Sequence, residues 1–170
     1  MKIFAVDPGN EKSAYAIWDG HSILKAEKLI NDEMKQMIEW KSSSEDYDMV
    51  AIEKIESYGM PIGATVIDTA VWIGRFIEAL QGVRNDYPHQ KIILIPRKQV
   101  KLHLCNATRA KDSNVIQALK DRFEPGLQPR ERPKGLLKGL KADMWQAFAL
   151  SVYVYDFLQG GGDVEEFEVR

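Results

Sequence analysis

Two short apolar runs, each ending in an acid, constrain this 170-residue chain more than any other feature. Ile3-Phe4-Ala5-Val6 runs into Asp7-Pro8-Gly9, and Met49-Val50-Ala51-Ile52 runs into Glu53-Lys54. Such runs fit buried strands, which need helices or a second layer packed on the sheet. A carboxylate at the end of a buried strand is costly unless a hydrogen-bond donor or a cation meets it. The fold and the chemistry therefore have to be read together.

The remaining pattern predicts the other elements. Ser13 to Trp18 predicts a second strand, closed by the turn pair Asp19-Gly20, and Ile23 to Leu29 a third. Asn31 is placed to cap a helix reaching about Lys41, with Met34, Met37 and Ile38 on one face. The strand from Met49 to Ile55 is followed by a loop with two glycines. A long helix then runs from Thr65 to Val83, with Val66, Thr69, Ile73, Phe76, Ile77 and Leu80 at helical spacing. Lys91 to Ile95 predicts another strand, ended by Pro96. Helices follow over Lys98–Leu104, Lys111–Arg122 and Lys141–Leu158, the last apolar nearly all round and hence buried. Hairpin-joined strands come first and helix-separated strands later. That order predicts an α/β fold, a mixed sheet with helices packed on it. Glu124 to Gly139, rich in proline and glycine, predicts a mobile loop. Gly160 to Glu168 predicts a flexible acidic tail off the core, so one domain over residues 1–158 and a tail over 159–170 are expected.

Composition narrows the class. The single cysteine, Cys105, excludes a disulfide within the chain and a cysteine-based zinc cluster. No run of about 18 apolar residues is present, so no membrane-spanning helix and no membrane partner are expected. Lys2 and Asp7 flank only four apolar residues, which does not suit a secretory signal, so a soluble cytoplasmic protein is expected. The net charge of −2 hides an asymmetry. Residues 91–141 hold thirteen basic and four acidic side chains, a net of +9, and the remainder carries −11. Blocks of opposite sign point to an anionic partner for one of them, although uneven solvated patches also give this pattern.

Three acids stand out: Asp7, Glu53, and Asp143 at the opening of the last helix. Each has an ordinary reading. Asp7 is a turn residue, Glu53 a salt-bridge partner, and Asp143 an acid favoured at a helix start. Neighbouring first and fourth strands would instead bring Asp7 and Glu53 to one sheet edge, with the last helix delivering Asp143. Clustered carboxylates repel one another unless a cation is bound, and hard oxygen ligands favour Mg²⁺ or Mn²⁺. Two such ions can activate water and stabilise the leaving oxygen in phosphodiester hydrolysis. His21, His89 and His103 are too scattered to offer a zinc site.

An ordered set of motifs then becomes visible. Val6-Asp7-Pro8-Gly9, Ala51-Ile52-Glu53, Ile95-Pro96 with Gln99-Val100-Lys101, Arg109-Ala110-Lys111, and Ala142-Asp143 opening a helix resemble the RuvC family of Holliday junction resolvases, within the ribonuclease H-like superfamily. The stretch from Glu53 to Phe76 looks most like the shorter forms found in bacteriophages. The resemblance implies a five-stranded mixed sheet, a homodimer, and Mg²⁺-dependent paired nicking of four-way DNA junctions. By position, Asp7, Glu53 and Asp143 match the metal-binding acids and Lys101 the basic residue facing the scissile phosphate. The family's second lysine falls at Asp112 here, and the position one turn before the last acid is Leu140. Asp68 and Glu56 are the candidates for a substitute acid. Substrate contacts are expected from Lys98, Lys101, Arg109 and Lys111, with Arg130, Arg132, Lys134 and Lys138 available, and from Tyr58 stacking on or wedging between bases. The alternatives are a nuclease of the same fold acting on flaps or forks, and a junction-binding protein without catalysis. An actin-like ATPase needs two such domains, for which the chain is short.

Overall fold

The computed structural model describes residues 1–42, 47–57, 59, 61–84 and 91–169. Five strands form one sheet: β1 (Ile3–Asp7), β2 (Lys12–Trp18), β3 (Ile23–Ile30), β4 (Met49–Lys54) and β5 (Lys91–Pro96), in the order β3-β2-β1-β4-β5. β1, β2 and β3 pair antiparallel, whereas β4 and β5 add in parallel to β1. Short turns suffice for the first three strands. The parallel pairs need crossovers, which α1 (Asn31–Ser42) and α2 (Ala64–Arg84) supply. Three further helices complete the chain: α3 (Arg97–Cys105), α4 (Asp112–Phe123) and α5 (Met144–Gln159). This is the expected mixed α/β sheet, with element ends within a few residues of their predicted places.

Strand alternation divides the core in two. Phe4, Val6, Val50, Ile52 and Ile92 face α1 and α2, where Met34, Ile38, Phe76 and Leu80 are fully buried. Ile3, Ala5, Met49, Ala51, Ile93 and Ile95 face α3, α4 and α5. Every residue of α5 from Met144 to Val154 is buried, as its nearly continuous apolar pattern requires. The same alternation puts Asp7 and Glu53, each two residues beyond an alanine of the second set, on the face covered by α3 to α5.

One expectation is corrected. The segment between α4 and α5 is strapped down rather than mobile. Lys120, almost fully buried on α4, donates its ammonium to the carbonyls of Pro129 and Glu131 at 2.9 and 2.8 Å. Glu124 accepts the backbone N–H groups of Lys134 and Leu137 at 3.0 and 2.8 Å. Proline and glycine count loosens a loop only when nothing binds its carbonyls and amides, and here two charged side chains do. Residues of the acidic tail also touch the core. Val164 is buried, Phe167 meets Phe157 edge-on, and Glu168 forms a bridge beside Ile93 on β5. The apolar residues Val164 and Phe167, spaced among the acids, supply the driving force.

Candidate active site

Asp7, the last residue of β1, and Glu53, the last but one of β4, lie on adjacent parallel strands whose register pairs Val6 with Ile52. Arg97 follows directly from β5, the next strand across. All three therefore stand at the carboxyl ends of parallel strands, beside the usual place for a ligand in an open α/β sheet. Both carboxylates are nearly closed off, with side-chain exposures of 11% and 12%. The guanidinium of Arg97 lies between them: Nη1 is 2.9 Å from Glu53 Oε1 and 3.9 Å from Asp7 Oδ1. Its other nitrogen, Nη2, is 3.0 Å from Asp112 Oδ2 at the start of α4, and Lys101 Nζ is 3.3 Å from Asp112 Oδ1.

The turn after Asp7 is held from below. Gly9 donates its N–H to Ser13 Oγ, which donates in turn to Asn31 Oδ1, and Asn31 Nδ2 donates to the Gly9 carbonyl. Asn31 begins α1 as expected, but its side chain serves this turn. A side chain at Gly9 would meet the Lys12 carbonyl at 2.3 Å, so only glycine fits.

Burial, foremost, and the neighbouring Glu53 push the Asp7 carboxyl well above its ordinary range, with Arg97 opposing. Burial likewise raises Glu53 against the pull of Arg97. The same carboxylates, with Asp112, hold the Arg97 guanidinium more firmly protonated than usual, against its own burial. The cluster is one coupled network, in which the acids carry the cost of desolvation and Arg97 offsets part of it.

Asp143 stands apart in kind. It precedes α5 as its N-cap residue without a side-chain cap bond, and Ala142 before it takes a left-handed φ of 47°. Its carboxylate is 47% exposed and pairs with Lys28 of β3. It is close enough to raise Asp7 further, yet it does not share the Arg97 guanidinium. Two of the three expected acids thus meet on one cation, and the third flanks them. Among the described residues, no three Asp, Glu, His or Cys side chains converge as a ready metal cage. The two buried carboxylates are nonetheless hard oxygen donors already gathered around a positive charge, which suits a divalent cation of the Mg²⁺ type.

The other expected residues divide. Lys98 and Lys101, with Arg97, Thr108 and Arg109, wall a cleft of about 560 Å³ that opens beside Glu53. Lys98 also pairs with Glu56 at 3.0 Å. Lys111 is exposed at the start of α4 and does not line this cleft. Asp68 is exposed on α2, so neither it nor Glu56 joins the Arg97 group. Tyr58 lies outside the described residues. The acid that does join is Asp112, and sequence reasoning missed it together with Arg97. The available signal was a cation following a strand parallel to the one that ends in Glu53.

The sheet order and its helical layers define the fold as α/β of the ribonuclease H-like class. More particularly, the chain is similar to the Thermus thermophilus RuvC structure. The two share 16% identity and a TM-score of 0.67, over 99% of this chain and 100% of that one. It is similar in the same degree to T. thermophilus RuvC in complex with a Holliday junction substrate, with 15% identity and a TM-score of 0.66 over 99% of each chain. No protein-family model matches the chain, and no curated protein matches it in sequence.

Proposed function

We propose that this protein is a divalent-metal-dependent, structure-selective endodeoxyribonuclease that resolves four-way DNA junctions by paired nicking. One observation carries the reading. Two nearly enclosed carboxylates stand at the carboxyl ends of neighbouring parallel strands, and Glu53 of this pair lines a cleft walled by Arg97, Lys98, Lys101 and Arg109. Acids beside a dense cationic wall suit a phosphodiester, whose backbone the cations neutralise. The likeness to RuvC in complex with a Holliday junction substrate supports a branched DNA as the polyanion.

In this reading Asp7 and Glu53 hold Mg²⁺ or Mn²⁺, with Asp143 contributing from the start of α5. The bound cation supplies an activated water and charge stabilisation for the leaving oxygen. Lys101 faces the scissile phosphate. Lys98, Arg109 and Lys111 bind the flanking backbone, and Tyr58 contacts bases. The protein acts as a homodimer, since paired nicks need two sites. Ile67 and Val71 on α2, about half exposed, beside an apolar groove of about 750 Å³, offer a surface for the second copy.

Asp7→Asn is expected to abolish Mg²⁺-dependent cleavage of a four-way junction while leaving junction binding within about threefold, because binding rests on phosphate contacts. Cleavage by that variant overturns the assignment. Flap, fork and linear duplex substrates run beside the junction decide the substrate class. A second reading, junction binding without catalysis, is favoured by the Arg97 guanidinium lying between the acids. Tight binding by the wild type with no nicking at any Mg²⁺ or Mn²⁺ concentration selects it.

A further inference from the structure

The geometry assigns Arg97 a role of its own: we propose that it is a tethered cation competing with a divalent ion for Asp7 and Glu53, and that Asp112 takes up its guanidinium when it gives way. This rests on the reading of Asp7 and Glu53 as a cation site.

The placement supports both halves. Nη1 of Arg97 faces the two buried carboxylates at 2.9 and 3.9 Å. Nη2 is simultaneously 3.0 Å from Asp112, whose carboxylate is 55% exposed. One guanidinium thus spans an inner pair of acids and an outer acid, and a flat fork with several N–H donors can shift its weight between them. Two desolvated carboxylates repel each other and need a positive charge between them. Arg97 meets that need with a side chain, where a divalent ion would meet it with twice the charge. Lys101, also on Asp112, ensures that the outer acid is itself partly neutralised and does not draw the guanidinium away unaided. The balance leaves the inner pair ordered yet open to exchange.

The competition predicts effects of opposite sign on either side of Arg97. Mn²⁺ affinity is measured by calorimetric titration on the full chain for the wild type, Arg97→Gln and Asp112→Asn, with thermal unfolding in EDTA and in Mn²⁺. Removing the tethered charge should tighten Mn²⁺ binding about tenfold or more, the scale on which one neighbouring opposite charge shifts a carboxylate equilibrium. Arg97→Gln should also unfold earlier than wild type in EDTA and recover that loss in Mn²⁺. Asp112→Asn removes the outer acceptor and should weaken Mn²⁺ binding. A merely structural arginine would not give this reversal of sign. Unchanged or weaker Mn²⁺ binding by Arg97→Gln, or a shift of Asp112→Asn in the same direction as Arg97→Gln, overturns the proposal. If Arg97→Gln does not fold in EDTA, the exposed Asp112 decides alone: weaker binding upholds the proposal, and unchanged or tighter binding ends it. Junction cleavage by the wild type is assayed in parallel. No cleavage with the two opposed shifts present sinks the nuclease reading alone, and cleavage without them sinks the role of Arg97 alone.

Discussion

At the scale of single residues, Asp7 sacrifices stability for placement. Its carboxyl is raised by burial and by Glu53, so the folded protein binds its proton more readily than the unfolded chain does. Such a group favours the fold below the unfolded-state value and loses that contribution as pH rises through the folded-state value. Asp7→Asn should therefore melt at a higher temperature than wild type at pH 7 in EDTA, with the difference closing below about pH 4, where the unfolded aspartate is protonated too. Thermal unfolding across that range checks it, and equal melting temperatures at pH 7 refute it. The turn that holds Asp7 makes the opposite case. Asn31→Ala should cost about 1–3 kcal/mol in chemical denaturation, because the part-buried Gly9 carbonyl and the buried Ser13 hydroxyl lose their shared partner.

At the scale of elements, the basic segment between α4 and α5 owes its order to Lys120 and Glu124. A lysine this deeply buried is stable only with acceptors at its ammonium, and two carbonyls supply them. Lys120→Met should lower stability by about 1–3 kcal/mol and open the segment around Pro129 to Glu131 to limited proteolysis. Resistance equal to wild type would mean that Glu124 alone suffices. Arg130, Arg132, Lys134 and Lys138 ride on this strapped segment, so its order decides whether those charges form a surface or a cloud.

At the scale of the whole molecule, the sheet separates two jobs. One face, under α1 and α2, is an apolar core with an exposed apolar stripe at Ile62, Ile67 and Val71. The other carries the acids, and the α3–α5 layer that covers it brings most of the positive charge. Binding of a four-way junction should weaken steeply with salt. Replacing Arg130 and Arg132 together by alanine should flatten the slope of log affinity against log salt by about 0.9 for each phosphate no longer neutralised, with turnover at saturating DNA unchanged. An unchanged slope would place the DNA on another face.

The sequence by itself determined the strands, the helices, the mixed sheet, and the acids that end β1 and β4. Each of these follows from local periodicity or from the resemblance of ordered motifs. Asp7 and Glu53 were legible because an acid closing an apolar run is conspicuous in one dimension. Arg97 and Asp112 were not, because nothing local distinguishes an arginine after a strand from an exposed one. The tertiary structure alone decided that β5 lies beside β4 and α4 beside α3, which puts that guanidinium among carboxylates distant in the chain. It decided equally that Asp143 pairs with Lys28 and that Lys120 and Glu124 bind the backbone of the basic loop. Charge pairing depends on separation in space, and strand order and helix packing set that separation.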